Sequence, residues 1–265
     1  MEKDKLKTLF SRAPVREAGG KFYFLSGVGQ TQEAAGSVRA FFKRWPRLYR
    51  AVTFVISDLF SEGMSVAGAV RRVFPQGIGS DAVVVNIGSG LQDMDERIIT
   101  VDMIDFPSVR VIADAANLPF RDASCDMVLA VSLLEHCPEP ERVIAEITRV
   151  VKPGGYVYCA VPFLYPLHGS PQDYVRFTLP GLIGRFGAFR VVAAGPQSGP
   201  VTTLIIQTAY TLAIFTSFGS DRLYSVLLEC WMLLLFPLRV FDLLFRIFPH
   251  RSDAAAAIYF FGKKV

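Results

Sequence analysis

The chain has 265 residues, which is enough for one large hydrophobic core or for a core with an appended segment. Its four cysteines lack C-x-x-C spacing and none precedes Cys125, which argues against a disulfide framework or a zinc site, so no metal site is predicted. The net charge of +4 is uneven, because residues 1–50 hold eleven Lys and Arg against four Asp and Glu. The N-terminus lacks the apolar region of a signal peptide, which together with reduced thiols predicts a cytoplasmic protein.

The positive charge is concentrated in VRAFFKRWPRLYR (residues 38–50), where Arg and Lys alternate with aromatic side chains. This pattern is typical of contact with nucleic acid or with an anionic membrane surface. The alternative is a solvated helix face whose aromatic residues dock on the core. Residues 51–74 favour a helix interrupted near Gly63, so residues 1–75 are predicted to form a basic, aromatic N-terminal helical segment.

Strand and short helix patterns alternate from residue 82 onwards. PERVIAEITRVV has apolar residues on one helical face, and TLPGLIGRFG is predicted to be a second, shorter helix. The prediction is an α/β fold with a seven-stranded, mostly parallel sheet in residues 76–265, interrupted before its last strand by an apolar helical insertion at residues 197–253. The predicted strands are residues 82–88, 97–102, 109–115, 125–134, 156–163, 189–195 and 256–265.

Polar or glycine-bearing loops follow the carboxyl ends of five of these strands, at residues 86–90, 102, 114–115, 132–136 and 162–168. Ligands of open parallel sheets bind beyond these strand ends. Glycines let backbone N–H groups approach a ligand, and a carboxylate accepts hydrogen bonds from ribose hydroxyls. A plain turn would explain NIGSG by itself, but the convergence of five loops predicts a nucleoside site.

The ordered phrases NIGSG, VDM and ADAANLPFRDASCDMVLAVSLLEHCPEPERVIAEITRVVKPGGYVYCAVPF resemble the class I S-adenosylmethionine-dependent methyltransferases, and most of all their type 11 group. The resemblance covers residues 80–195 and the terminal strand. It implies a Rossmann-like fold, methyltransferase activity and the cofactor S-adenosyl-L-methionine. Two departures keep a non-catalytic copy as an alternative: Asn86 replaces the usual acidic residue, and the first two crossover helices look almost deleted.

The resemblance also implies which residues bind the cofactor. The glycine loop lies against its methionine part, the acid at position 102 binds the ribose hydroxyls, and the acid at position 114 with its neighbour meets the adenine. Residues 132 and 135 line the floor near the sulfonium. The predicted cofactor-binding residues are Asn86, Gly88, Ser89, Gly90, Asp102, Met103, Asp114, Ala115, Ser132 and Glu135.

The loop PFLYPLHGSPQDYVRFT (residues 162–178) is predicted to serve the methyl acceptor. His168 is the candidate general base, because its unperturbed pKa lies near the working pH. Asp173 is predicted to orient His168, and Arg176 to hold an anionic acceptor group such as a phosphate. The alternative is an Asp173–Arg176 pair that only pins the loop. His136 is interpreted as a helix-entry or packing residue.

The insertion contains two apolar segments. Residues 200–220 carry no charge and reach the apolar length of about 18 residues expected of a membrane span, whereas residues 222–251 are amphipathic, with cations spaced to snorkel. Because the chain leaves and re-enters one sheet, it must cross a bilayer an even number of times. A helical hairpin or two interfacial helices are therefore predicted, with FGSD (residues 218–221) at the bend. The alternative is a cap buried against the domain or a dimer partner.

These features predict a methyltransferase attached to the cytoplasmic face of a membrane. Its acceptor would be a lipid, a lipid-linked glycan or another membrane-associated molecule, and oxygen is the favoured atom. The alternatives are a soluble small-molecule methyltransferase with the insertion as dimer interface, and a non-catalytic methyltransferase-like binding protein. An RNA methyltransferase is a further option because residues 1–50 are basic, but no recognised RNA-binding module accompanies them, so no nucleic-acid partner is expected.

Overall fold

The computed structural model describes residues 3–27, 62–91, 95–168 and 172–265. The basic, aromatic stretch at residues 38–50 and the first part of the predicted helix, residues 51–61, lie outside these ranges. The predicted division into residues 1–75 and 76–265 therefore stays a prediction. The α/β fold class and the mostly parallel sheet are confirmed, but the sheet has nine strands rather than seven.

The described elements follow one another in an order close to the predicted one. The helices are α1 (Lys3–Thr8), α2 (Val66–Val73), α3 (Pro140–Val150), α4 (Leu179–Arg185), α5 (Pro200–Thr216), α6 (Asp221–Leu235) and α7 (Asp242–Phe245). The strands are β1 (Arg16–Ala18), β2 (Lys21–Tyr23), β3 (Val84–Ile87), β4 (Ile98–Asp102), β5 (Val111–Ile112), β6 (Cys125–Val131), β7 (Val151–Pro162), β8 (Phe189–Pro196) and β9 (Ala257–Lys264).

The two additional strands form a hairpin within the segment that was predicted to be helical. Gly19 and Gly20 have φ values of +58° and +79°, which a tight hairpin turn between β1 and β2 requires. β2 then pairs parallel to β5, and the ring of Phe22 is completely buried. The helical prediction for residues 1–75 is thus wrong at residues 16–23. Strands of three residues are too short to show a period-2 pattern.

The sheet has the order β1-β2-β5-β4-β3-β6-β7-β9-β8. β2, β5, β4, β3, β6 and β7 are parallel, whereas β9 runs antiparallel to both β7 and β8, and β1 to β2. All four residues of β3 are buried, as expected of a parallel strand covered on both faces. Alternate side chains of β3 face two different clusters, one shared with α3 and the other with α2.

The connections from β3 to β4 and from β4 to β5 contain no helix in the stretches that the structure describes. The sequence predicted this loss of the first two crossover helices. The β3–β4 connection covers only residues 88–97, although parallel neighbours usually need a dozen or more residues. Short loops therefore follow the carboxyl ends of β3 and β4, and they carry four of the ten predicted cofactor-binding residues, Gly88, Ser89, Gly90 and Met103.

The insertion folds as two helices that pack against each other, followed by short helical turns. The predicted bend is confirmed, since α5 ends at Thr216 and α6 begins at Asp221 after Phe218 and Gly219 adopt positive φ values. One face of α5 is buried, whereas no residue of α6 is. Across the described ranges, we find no helix with both the length and the apolar character needed to span a bilayer.

Candidate active site

The glycine turn after β3 forms an open cradle. Gly88 has a φ of +64°, and a Cβ atom placed there would lie 2.7 Å from a side-chain carbon of Leu133. Gly90 has a φ of +55°, and a Cβ atom on it would meet nothing within 4 Å. The hydroxyl of Ser89 is buried and has no hydrogen-bond partner among the described residues. A buried polar atom beside open space fits a bound ligand, so the turn fits the methionine end of the predicted cofactor.

Asp102 holds the glycine turn in place. Its Oδ2 accepts a hydrogen bond of 2.8 Å from the backbone N–H of Gly90, and its Oδ1 accepts one of 2.9 Å from the N–H of Ile104. A carboxylate can accept about four hydrogen bonds, so both oxygens retain capacity for ribose hydroxyls. The side chain of Met103 is 48% exposed at the same strand end. This geometry agrees with the predicted ribose site.

Asp114 follows β5 and lies close to the loop after β6. Its Oδ1 accepts a hydrogen bond of 2.8 Å from the N–H of Ala116, and Ala115 packs against the core. Burial, together with the negative charges of Asp114 and Glu135, raises the pKa of the Cys137 thiol to about 11. The carboxylate of Asp114 therefore lies near the loop after β6, which contains Cys137.

The loop after β6 contains the two predicted floor residues in very different settings. Ser132 is exposed and has a φ of +49°, a conformation that costs a residue with a Cβ about 1–2 kcal/mol. Its N–H donates to the carbonyl of Ala160, which fixes the loop to β7. Glu135 is 0% exposed, and burial raises the pKa of its carboxyl to about 7.

In the loop predicted to serve the methyl acceptor (residues 162–178, the acceptor loop), the side chain of Arg176 is turned inward. Its guanidinium donates to both carboxylate oxygens of Asp173 and to the carbonyl of Pro166 at 3.2 Å. This pair holds the pKa of Asp173 down at about 2, and the Asp173 side chain is buried. These contacts are those of the loop-pinning alternative, because the donors that were predicted to hold an acceptor anion face the protein.

His168 lies at the centre of this loop. Its Nδ1 is 3.2 Å from Oδ2 of Asp173, and its Nε2 is 3.9 Å from Oε1 of Glu135. The contact with Asp173 is the one expected of an orienting carboxylate. Burial lowers the pKa of His168, and Asp173 partly opposes this effect. The imidazole is therefore largely neutral near pH 7, as a general base must be.

Sequence reasoning did not assign a site role to His136. The structure places its ring 5.2 Å from that of His168, and its Nε2 lies 3.8 Å from Oε1 of Glu135. Leu134–His136 form a 3₁₀ helix, which brings the Glu and His of LEH onto the same side as the acceptor loop. One feature of the sequence could have indicated a site role for His136, because it follows Glu135 directly at the end of a predicted strand. A residue at the start of a helix explained the same pattern equally well.

The family model described as "Methyltransferase domain" matches residues 68–159. Demethylmenaquinone methyltransferase of Renibacterium salmoninarum is 32% identical over 111 residues, which cover 40% of this chain and 44% of that protein. Ubiquinone biosynthesis O-methyltransferase of Dechloromonas aromatica is 32% identical over 117 residues, which cover 44% of this chain and 43% of that protein. A solved structure of phosphoethanolamine N-methyltransferase 2 of Haemonchus contortus, in complex with S-adenosyl-L-methionine, is also similar. The match covers 87% of this chain and 60% of that chain, with 15% identity and a TM-score of 0.46, and no functional argument is based on it.

The matched region contains the predicted cofactor site. Residues 68–159 run from α2 to the centre of β7, so they include the glycine turn and the ends of β4, β5 and β6. This chain spans less than half the length of the two curated relatives named above. The match and the site geometry support S-adenosylmethionine as the cofactor. Residues 68–159 of this chain thus resemble a methyltransferase domain, and they form part of a mostly parallel α/β sheet.

Proposed function

We propose that the protein methylates a lipid or lipid-linked acceptor at the cytoplasmic face of a membrane, using S-adenosylmethionine and most readily at an oxygen atom. The family match supports methyl transfer. The acceptor class rests on one observation: the insertion exposes a run of apolar side chains at residues 243–248, and its helix α5 borders the acceptor loop. Two relatives are named for quinone methylation, and these names are consistent with an apolar acceptor.

The exposed surface is most continuous at residues 243–250, where every residue is exposed. Leu244 is 63% exposed and Ile247 is 82% exposed, with Arg246 between them. Single exposed apolar residues are ordinary on protein surfaces, whereas a contiguous patch marks a contact with another apolar body. Arginine among aliphatic and aromatic side chains suits a surface that lies in the headgroup region of anionic lipid. The basic, aromatic segment at residues 38–50 has the same chemistry in sequence.

The insertion also borders the acceptor loop. The ring of Tyr210 on α5 lies 6.4 Å from that of Tyr165, and the Tyr165 ring lies 4.8 Å from that of His168. An amphipathic acceptor whose apolar part rests along the insertion would thus bring its polar end towards His168. This arrangement favours a membrane-bound acceptor, whereas in a soluble enzyme the same apolar surface would have to serve as a dimer interface.

Different residues of this chain serve cofactor binding and proton transfer. The glycine turn and Asp102 would hold the cofactor, and Asp114 would bind its adenine part. The chemistry supplied by bound S-adenosylmethionine is a methyl group on a cationic sulfur, which keeps the bonding electron pair as neutral S-adenosylhomocysteine when the methyl carbon joins the acceptor oxygen. His168 takes the hydroxyl proton of the acceptor at Nε2, and Asp173 stabilises the resulting imidazolium through Nδ1. Arg176 keeps Asp173 in position.

The acceptor class is tested by incubating membranes with cofactor that carries a labelled methyl group. We expect the label in the fraction extracted by organic solvent. Label found only in nucleic acid or in soluble protein would contradict the proposal. Calorimetry with S-adenosylmethionine tests the enzymatic part separately, because a protein that does not bind the cofactor is a non-catalytic relative.

Membrane contact is tested by flotation with vesicles of anionic lipid, using the double variant Leu244→Glu with Ile247→Glu. Both side chains are exposed, so the substitutions leave the core unchanged. We expect the wild type to float and the variant to stay in solution. Val15→Glu is the matched control, since Val15 is 69% exposed but lies next to the N-terminal hairpin. A wild type that dimerises through this surface and ignores vesicles would instead support the soluble alternative.

A further inference from the structure

Glu135, His136 and His168 bring three ligand-type atoms together at the carboxyl end of β6. One carboxylate oxygen and one ring nitrogen from each histidine all lie within 4.8 Å of one another. Oε1 of Glu135 is 3.8 Å from Nε2 of His136 and 3.9 Å from Nε2 of His168. Ligands around a tetrahedral metal ion with bonds of about 2.0–2.1 Å lie roughly 3.3–3.5 Å apart. The two distances to Glu135 would therefore shorten by a few tenths of an ångström, and the distance between the two histidine nitrogens, which lie within 4.8 Å, by up to about 1.5 Å.

The other nitrogen of each imidazole is already engaged. Nδ1 of His136 lies 2.5 Å from the backbone carbonyl oxygen of Gln172, which can only accept a hydrogen bond. Nδ1 of His168 lies 3.2 Å from the carboxylate of Asp173. With a proton on each Nδ1, both Nε2 atoms carry a lone pair, and both lie within 4 Å of Oε1 of Glu135. Histidines that bind metals nearly always donate their second N–H to a carbonyl or a carboxylate in this way.

The state of the Glu135 carboxylate is a second, independent observation that indicates a bound cation. It is 0% exposed, and neither of its oxygens has a hydrogen-bond partner in the part of the chain that the structure describes. A buried carboxylate without hydrogen bonds is costly, and a coordinated cation satisfies it. The two ring nitrogens just described lie 3.8 and 3.9 Å from Oε1 of Glu135, and their lone pairs would engage the same cation.

We propose that Glu135, His136 and His168 bind one divalent transition-metal ion. Imidazole and carboxylate ligands suit Zn²⁺, Mn²⁺ or Fe²⁺, and three protein ligands leave a tetrahedral position for water or for an acceptor oxygen. The sequence predicted no metal site because that prediction considered only paired cysteines. The ligands instead come from two loops that are brought together only in the fold.

Metal binding goes beyond the proposed function and does not require it. An acceptor hydroxyl bound at the open position would lose its proton to water at a lower pH, as metal-bound water does. His168 would then serve as a ligand instead of the general base, because both roles use Nε2. The site would also join the end of β6 to the acceptor loop, since Glu135 and His168 belong to these two segments.

The test uses the full chain after dialysis against a chelator, titrated with Zn²⁺ by calorimetry and with Co²⁺ by visible absorption. We expect one ion per chain and the bands of tetrahedral Co²⁺ without a thiolate charge-transfer band, which excludes the nearby Cys137 as a ligand. His136→Ala and His168→Ala should each lower the affinity at least tenfold, and Glu135→Gln should do the same.

His250→Ala is the matched control. The side chain of His250 is 88% exposed and lies 3.2 Å from Asp253 in the insertion, so its loss should leave the affinity unchanged. Far-UV circular dichroism and cooperative thermal unfolding establish that each variant is folded. A wild type that binds no ion stoichiometrically, or folded His136→Ala and His168→Ala variants with wild-type affinity, would overturn the metal site. Metal binding without methyl transfer would count only against the proposed function.

Discussion

The carboxylate of Asp102, at the end of β4, accepts a hydrogen bond of 2.8 Å from the backbone N–H of Gly90, in the turn after β3. One side chain therefore has two tasks, because it fixes the conformation of the glycine turn and still has lone pairs for a ribose. The two neighbouring strand ends thus form a single binding element, although ten residues of loop separate Ile87 from Ile98.

Asp102→Asn should weaken the binding of S-adenosylmethionine by roughly tenfold to a hundredfold, because charge-assisted hydrogen bonds contribute about 1.5–3 kcal/mol. The amide keeps the shape of the side chain but turns one acceptor into a donor, which faces an N–H group. Calorimetry measures the change. Asp105→Asn is the control, since Asp105 bonds Lys21 and Tyr23 instead. Equal affinities for the two variants would remove Asp102 from the ribose site.

Gly90→Ala should reduce cofactor affinity more than it reduces stability. The added methyl group has open space around it, so the cost to the fold is only the positive φ, about 1–2 kcal/mol. The same methyl group occupies the cradle. Thermal unfolding with and without S-adenosylhomocysteine separates the two effects, because the ligand should no longer raise the Tm of the variant. Gly88→Ala is the contrast, since its methyl group would also clash with Leu133 and lower the Tm further.

The ends of β3 and β4 were predictable from the sequence because each strand is a mainly apolar run that stops at Gly88 or at Asp102. The hairpin of β1 and β2 was not predictable, because its stability comes from pairing with β5, which is 90 residues away. The direction of Arg176 was also beyond the sequence. Spacing shows that Asp173 and Arg176 can pair, but only the fold determines whether an arginine faces inward or outward.

Arg176→Lys should lower kcat while leaving cofactor affinity unchanged. A lysine cannot bond both oxygens of Asp173 and the carbonyl of Pro166 together, so the carboxylate that orients His168 loses its fixed position. We expect a loss of about tenfold or more in kcat, since general bases contribute roughly 10²–10⁴ and only part of that depends on orientation. If instead KM for an anionic acceptor rises and kcat stays constant, Arg176 contacts the acceptor.

The N-terminal hairpin should become less stable in acid. Lys21 and Tyr23 both donate to Asp105, and the bond from Lys21 holds the pKa of this carboxyl below its usual value. A lowered pKa stabilises the fold above the unfolded pKa of about 3.9, and this stabilisation is lost as the pH falls through the folded pKa. Asp105→Asn should therefore cost about 0.5–1 kcal/mol at pH 7, with a difference that shrinks towards pH 3 in urea titrations. A difference that is constant with pH would mean that the charge has no role.

Asp242→Asn should loosen the insertion without affecting the sheet. Asp242 is buried and accepts hydrogen bonds from the backbone N–H groups of Val201 and Thr202 at 2.7 and 3.1 Å, so it caps α5 from the far end of the insertion. Loss of such a cap costs about 1–2 kcal/mol, and the helix N-terminus adds to the attraction for a negative charge. Hydrogen exchange should accelerate in α5 but not in β6, and Asp221→Asn, an exposed acid at the start of α6, should change neither. Faster exchange throughout the sheet would contradict this, because it would mean that the insertion is part of the same cooperative unit as the core.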